Sequence, residues 1–257
     1  MKKEFVMLAL TGLCLTVTKV HAATMDYGVL IGEDDLSQIG SYSLVVIEPE
    51  TFAQEDIVAL HERCEKVYGY LNIGALEEYR SYYEEYEELC LSVYEEWPDE
   101  QWIDVSAEEW QAFITDLGKE YISKGIDGLF LDNTDVYYQY PEEKIYQGLC
   151  EILTKLDGIP LIVNGGDPFV QRCIDEGQNL FDGINQENVF TKGVGQLQEP
   201  EDQEYYRNYL QKAADSGLEV YLTEYGADDS LTEEIDEYCK KHGFHWFNAE
   251  NLELLIR

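Results

Sequence analysis

Asp127-Gly128-Leu129-Phe130-Leu131-Asp132 and Asp182-Gly183-Ile184-Asn185-Gln186-Glu187 follow one plan, an Asp-Gly start and a carboxylate five positions after the aspartate. Side chains of a strand alternate between its faces, so Asp132 and Glu187 hold equivalent positions in their segments. Working outward, eight short runs rich in Val, Ile, Leu, Tyr and Phe recur at 27–31, 44–48, 67–73, 128–132, 161–164, 183–187, 220–224 and 244–247. Each is followed by a polar, helix-compatible stretch, the pattern of βα units around a parallel sheet. Eight such units close a barrel, so the expected fold is α/β, a single-domain (β/α)8 TIM barrel. The quoted segments are then its fourth and sixth strands. Alternate strands supply the same layer of a barrel, which brings both carboxylates to its C-terminal mouth.

The chain ahead of the barrel reads as an export signal. Lys2 and Lys3 precede an apolar run over 5–17, and Val20-His21-Ala22 resembles a small-residue cleavage site. The expected division is a secretory signal peptide over 1–23, cleaved after Ala22 or Ala23, and a barrel over 24–257, which makes the mature protein extracellular. The run is too short to span a bilayer as a helix, which argues against a signal anchor and against stable membrane insertion. Cys14 follows Leu13, where a lipoprotein signal needs a smaller residue.

Acidic residues number 53 against 17 basic ones, a formal net charge of -36. Phosphate backbones would be repelled, which excludes a nucleic-acid partner and leaves a neutral or cationic substrate. The acidity either attracts a cationic ligand or only keeps the protein soluble. Cys64, Cys90, Cys150, Cys173 and Cys239 follow the signal. None stands in a CxxC pair, and the sequence leaves open whether they are buried thiols or form disulfides.

Glycines at Lys124-Gly125, Ser216-Gly217 and His242-Gly243 mark helix ends before strands. Ser106, before Trp110, and Ser230 and Thr232 are hydroxyl residues placed to cap helix starts. One connection, from about 77 to 110, is far longer than the rest and follows the third strand, so it lies on the catalytic face of a barrel. It carries Tyr79, Tyr82, Tyr83, Tyr86, Tyr94, Trp97 and Trp102 among many glutamates. Its rings either stack on sugar rings or pack on the barrel rim as part of an acidic helical hairpin.

Two carboxyl groups at one mouth suit glycosidic bond cleavage, in which one protonates the departing oxygen and the other attacks the anomeric carbon or activates water. Asp132 is the expected nucleophile or base and Glu187 the expected acid. Glu48, Tyr70, Asn72, Asn164, Glu224 and Asn248 would ring the same mouth as substrate contacts. Asp135 would orient the acid, bind sugar hydroxyls or cap the next helix. No metal and no cofactor is expected, since His21, His61, His242 and His245 form no HxH or HExxH pair, and there is no GxSxG elbow. Two rival readings are a catalytically silent barrel that binds polysaccharide in exopolysaccharide processing, and a deacetylase or lyase.

The motifs Val67-Tyr68-Gly69-Tyr70-Leu71-Asn72-Ile73-Gly74 with Glu78-Tyr79-Arg80, Gly125-Ile126-Asp127-Gly128-Leu129-Phe130-Leu131-Asp132-Asn133-Thr134-Asp135, Asn164-Gly165-Gly166 and Gly183-Ile184-Asn185-Gln186-Glu187 run in one order along the chain. In these the sequence resembles glycoside hydrolase family 114, the endo-α-1,4-polygalactosaminidases and related extracellular proteins. The resemblance implies a (β/α)8 barrel acting on α-1,4-linked galactosamine-containing polysaccharide, with Asp132 and Glu187 catalytic. A polymer of free amino sugars is cationic and would suit an acidic protein. The sequence departs from the family in Glu48, where an aspartate is expected, and in the polar approach Asn185-Gln186.

Overall fold

The computed structural model describes residues 25–256. The signal-peptide reading over 1–23 lies outside the described residues. The strands in chain order are β1 (Met25–Leu30), β2 (Tyr42–Ile47), β3 (Lys66–Asn72), β4 (Ala75–Glu77), β5 (Cys90–Val93), β6 (Glu100–Ile103), β7 (Gly128–Asp132), β8 (Leu161–Asn164), β9 (Gly183–Glu187), β10 (Glu219–Tyr225) and β11 (His245–Ala249). Helices α1 (Gln54–Leu60), α2 (Tyr83–Tyr86), α3 (Glu108–Ser123), α4 (Val136–Gln139), α5 (Glu143–Lys155), α6 (Asp167–Glu176), α7 (Pro200–Asp215) and α8 (Asp229–His242) connect them.

Eight strands pair in parallel in the order β1-β2-β3-β7-β8-β9-β10-β11. The strand β11 lies against β1, where Asp26 meets His245 at 2.6 Å, so the ring nearly closes as a (β/α)8 barrel. Period-two alternation builds two cores. Tyr27, Val29, Leu44, Val46, Tyr68, Tyr70, Phe130, Ile162 and Tyr225 fill the barrel interior. Their strand neighbours, such as Val45, Val67, Leu71, Leu129, Leu131 and Leu222, pack outward against the helices. Burying each large apolar side chain stabilises the barrel by about 1.5–3 kcal/mol.

The Asp-Gly starts have a physical cause. Asp127 Oδ2 accepts the backbone N–H of Val67 at 2.8 Å, and Asp182 Oδ2 accepts that of Leu161 at 2.9 Å. Each aspartate, one residue ahead of its own strand, therefore ties that strand's start to the start of a neighbour. A Cβ on Gly128 would stand 2.5 Å from the Tyr68 ring, so only glycine fits beneath that tyrosine.

The long connection differs from a helical hairpin. It folds as a three-stranded antiparallel sheet in the order β4-β6-β5, with only the short α2 as α-helix before α3. Tyr82 and Tyr86 pack on Phe113 of α3, whereas Tyr94 stacks on Trp102 with centroids 4.2 Å apart. The expected hydroxyl caps are also corrected. The first turn of α8 is capped by Asp228, which accepts from Leu231 N at 2.9 Å. At α3 the N-cap is Ala107, and the Ser106 hydroxyl donates to Asp104 instead. At α8 the stronger carboxylate acceptor takes the cap, and α3 starts with no side-chain cap. The glycine stops hold, since Gly125, Gly217 and Gly243 all have positive φ. All five cysteines among the described residues are free thiols.

Candidate functional site

Asp132, Asn164 and Glu187 close three successive strands, β7, β8 and β9, and converge at the C-terminal mouth. The amide nitrogen of Asn164 donates to Asp132 Oδ1 and to Glu187 Oε1, both at 2.8 Å. Two such bonds from one nitrogen leave these oxygens at most about 5.6 Å apart. Tyr70, from β3, donates to Asp132 Oδ2 at 2.9 Å. Tyr225, from β10, donates to Glu187 Oε2 at 2.5 Å. Both carboxylates lead directly into an asparagine with left-handed backbone, Asn133 at φ 62° and Asn188 at φ 59°. Asparagine tolerates that region better than other side-chain-bearing residues, and it turns the chain sharply away once the acid is in place.

The two acids stand in different fields. Burial pushes the Asp132 carboxyl up, against donors from Asn164, Tyr70 and its neighbour Asn133, all of which favour the charged form. Burial raises Glu187 too, and there the charge of Asp132 adds to the rise while Tyr225 and Asn164 oppose it. Two charges this close repel, which with burial favours the protonated form of one of them. Asp132 has three donors favouring its charged form and Glu187 has two.

A third acid, Glu100 of β6, approaches from the long connection. Asn72 and Asn133 both donate to its Oε2, at 3.2 and 3.1 Å. Burial first, then the charges of Glu77 and Asp132, push Glu100 up to about 8. Asp135 is also pushed up, to about 7, by burial and by the charges of Asp132 and Asp167. Its Oδ2 accepts the N–H of Gly166 at 3.0 Å, which replaces the helix-capping role expected as one alternative. That contact requires glycine, because a Cβ on Gly166 would stand 1.8 Å from the Thr134 hydroxyl.

From Asp135 a groove of about 900 Å³ runs outward between the β5–β6 hairpin and helices α6 and α7. Tyr94, Trp102, Tyr138, Tyr205 and Tyr206 supply aromatic walls, and Glu95, Glu96, Asp167 and Asp202 supply carboxylates. No lysine or arginine is among the lining residues. Tyr205 donates to Asp167.

Of the residues expected at the mouth, Asp132, Glu187, Tyr70 and Asn164 meet one another. Asn72 is one step removed, holding Glu100 with its amide while its Oδ1 accepts Ala75 N at 2.9 Å. Asp135 lines the groove. Glu48 is bound by Arg80 at 2.8 Å, and the same buried guanidinium reaches the buried Glu77 at 3.0 Å and the exposed Glu50 at 3.3 Å. Glu224 is not brought to the mouth. It points outward from the barrel and accepts backbone N–H groups of Val189, Phe190 and Thr191. Asn248 likewise pairs with both backbone groups of Ala227. The reason is strand parity, since Tyr221, Thr223 and Tyr225 are the inward set on β10. Sequence reading missed Tyr225, which the alternation Tyr-Leu-Thr-Glu-Tyr signals, and Glu100, which nothing in the acidic connection singles out.

A family model described as glycoside-hydrolase family GH114 matches residues 16–251. No curated protein matches the sequence. Among solved structures, the fold is similar to the glycoside hydrolase domain of PelA from Pseudomonas aeruginosa, with TM-score 0.72 and 17% identity over 90% of this chain and 96% of that one. It is similar to Ega3 of Aspergillus fumigatus, solved in complex with galactosamine, with TM-score 0.71 and 15% identity over 93% of this chain and 96% of that one. It also matches the α-galactosidase TtGalA from Thermus thermophilus, with TM-score 0.57 and 12% identity over 91% of this chain and 60% of that one. At these identities the likeness is one of fold.

Proposed function

The chain belongs to glycoside-hydrolase family GH114, and from that premise we propose that this glycoside hydrolase cleaves an α-1,4-linked galactosamine-containing polysaccharide with Asp132 and Glu187. The observation that carries the catalytic assignment is the single amide nitrogen of Asn164, bonded at 2.8 Å to both carboxylates. Retaining glycosidases place their two carboxyl groups about 5–5.5 Å apart, and inverting ones about 6.5–9.5 Å apart to admit a water. A ceiling of about 5.6 Å between the bridged oxygens supports retention by double displacement.

Asp132 attacks the anomeric carbon as the glycosidic C–O bond breaks, and Glu187 gives its proton to the departing oxygen. Glu187, now a carboxylate, takes a proton from water, whose oxygen attacks the glycosyl ester and releases Asp132. Asn164, Tyr70 and Tyr225 hold the oxygens in place throughout. The groove favours a cationic polymer, because its aromatic walls can stack on sugar rings while carboxylates face ammonium groups and no basic side chain repels them. An exported, extracellular protein fits such a substrate. Among the described residues no helix is long and apolar enough to cross a membrane.

Incubation of the protein with de-N-acetylated galactosaminan and with its acetylated form, following new reducing ends, tests this reading. Cleavage by the parent and none by Asp132→Asn or Glu187→Gln is expected. Saturable binding with no new reducing ends from any variant would instead favour a silent, polysaccharide-binding barrel.

A further inference from the structure

The barrel interior beneath the carboxylates holds a polar thread in otherwise apolar surroundings. The amide nitrogen of Asn164 has two hydrogens, one for Asp132 and one for Glu187. Its carbonyl oxygen accepts from Asn185 Nδ2 at 2.7 Å. The carbonyl oxygen of Asn185 in turn accepts the hydroxyls of Tyr27 and Thr223, each at 3.1 Å. Asn185 is fully buried, and Thr223 and Tyr27 are 1% and 2% exposed.

A hydroxyl can turn to donate or accept, but an amide has one donating and one accepting end. Asn185 presents its NH2 to Asn164 and keeps its oxygen for the Tyr27 and Thr223 hydroxyls. Asn164 must then accept with its oxygen and aim its own NH2 at the acids. We propose that Asn185 is a positioning residue for the hydrolysis, fixing the direction of the Asn164 amide so that N–H groups and not a carbonyl oxygen face Asp132 and Glu187. This rests on the reading of those two acids as the catalytic pair. Reversed, the Asn164 carbonyl would press its lone pairs on two buried carboxylates and drive both acids apart. An apolar residue at 185 would pack in the barrel but leave the Asn164 carbonyl oxygen without its donor. The polar approach to Glu187 in the sequence thus has a cause.

The isosteric Asn185→Asp variant provides the test. While the introduced carboxyl is protonated, its O–H replaces the amide donor, and its other oxygen keeps the Tyr27 and Thr223 bonds. Once ionised, it has no donor and pulls the Asn164 NH2 toward itself. The groups facing this position are Tyr27 on β1, Asn164 on β8 with Asp132 beyond it on β7, Glu187 on β9, and Tyr221, Thr223 and Tyr225 on β10. None is cationic, so the switch from neutral to ionised falls above the ordinary aspartate range.

The kcat of Asn185→Asp, taken as a ratio to the parent, is expected to fall at least about tenfold as pH rises, with KM little changed. Thr223→Val, which removes a donor from the far end of the thread, is expected to lower kcat at every pH. A ratio constant across pH overturns the proposal. Carboxyl 13C titration of the free protein reads the same relay without substrate. Asp132 and Glu187 are expected to titrate at higher pH in Asn185→Asp, and unchanged midpoints also overturn it. Shifted midpoints in a parent that cleaves no polymer would sink the hydrolase substrate reading and leave the relay standing.

Discussion

Replacing Glu224 by glutamine separates two roles for an acid that closes a barrel strand, holding substrate or holding a loop. Its carboxylate is fully buried and accepts from Val189 N at 3.0 Å, Phe190 N at 3.0 and 3.1 Å, Thr191 N at 2.8 Å and the Thr191 hydroxyl at 2.7 Å. Glutamine of the same shape keeps one oxygen but puts NH2 where the other stood. The Thr191 N–H then faces a donor and stays unpaired. Losing a bond to a charged acceptor costs about 1.5–3 kcal/mol, and a buried unpaired donor costs about 1–3 kcal/mol. Opposing this, glutamine removes a buried charge, which burial resists by pushing Glu224 from 4.5 up to about 7. An acid raised on folding stabilises the folded state most when protonated, and that contribution fades as pH climbs from the ordinary value through the raised one. Glutamine is therefore most damaging below about pH 4.5 and progressively less so up to neutrality. At acid pH, where the carboxyl is protonated and the unpaired donor dominates, the loss is about 1–3 kcal/mol, a Tm fall of roughly 2–12 °C for a domain of this size. Calorimetry reads the Tm, and turnover kinetics read KM, which should not move because the side chain faces the 189–191 loop. An unchanged Tm with a raised KM would refute the loop role.

Tyr225→Phe removes a donor that favours charged Glu187, so the Glu187 carboxyl rises further. The kcat/KM profile should then lose activity at a higher pH than in the parent, with kcat lowered about tenfold. In the parent, activity should fall at acid pH as Asp132 takes a proton and at alkaline pH as Glu187 loses one, since burial raises both. Arg80→Gln strands Glu77 and the largely buried Glu48 without their cation, costing about 3–5 kcal/mol by denaturant unfolding, with partial recovery at low pH as the acids protonate. A loss below about 1 kcal/mol would mean the cluster is solvated like a surface pair.

The barrel was legible because a period of two is rigid. Segments 128–132, 161–164 and 183–187 coincide with β7, β8 and β9. Asp132 and Glu187 were found by matched offsets, and the structure brings them together. The same rule misfires when a strand end is misplaced by one residue. Reading the seventh strand to Glu224 chose the polar residue, while β10 ends at Tyr225 and turns Glu224 outward. Residues in the long connection were less legible still, because an antiparallel sheet inserted in a barrel loop takes its facing from tertiary packing. Glu100 therefore looked like any other of its glutamates. Caps failed locally, where Asp228 takes the start of α8 and the Ser106 hydroxyl is spent on Asp104.

The most direct measurement is the anomeric configuration of the first product, followed by NMR as the parent cleaves a soluble oligomer of α-1,4-galactosamine. An α-anomer appearing first, with Asp132→Asn and Glu187→Gln both inactive, is the expected result for two carboxylates bridged by the Asn164 amide. A β-anomer appearing first, or turnover retained in either variant, would contradict it.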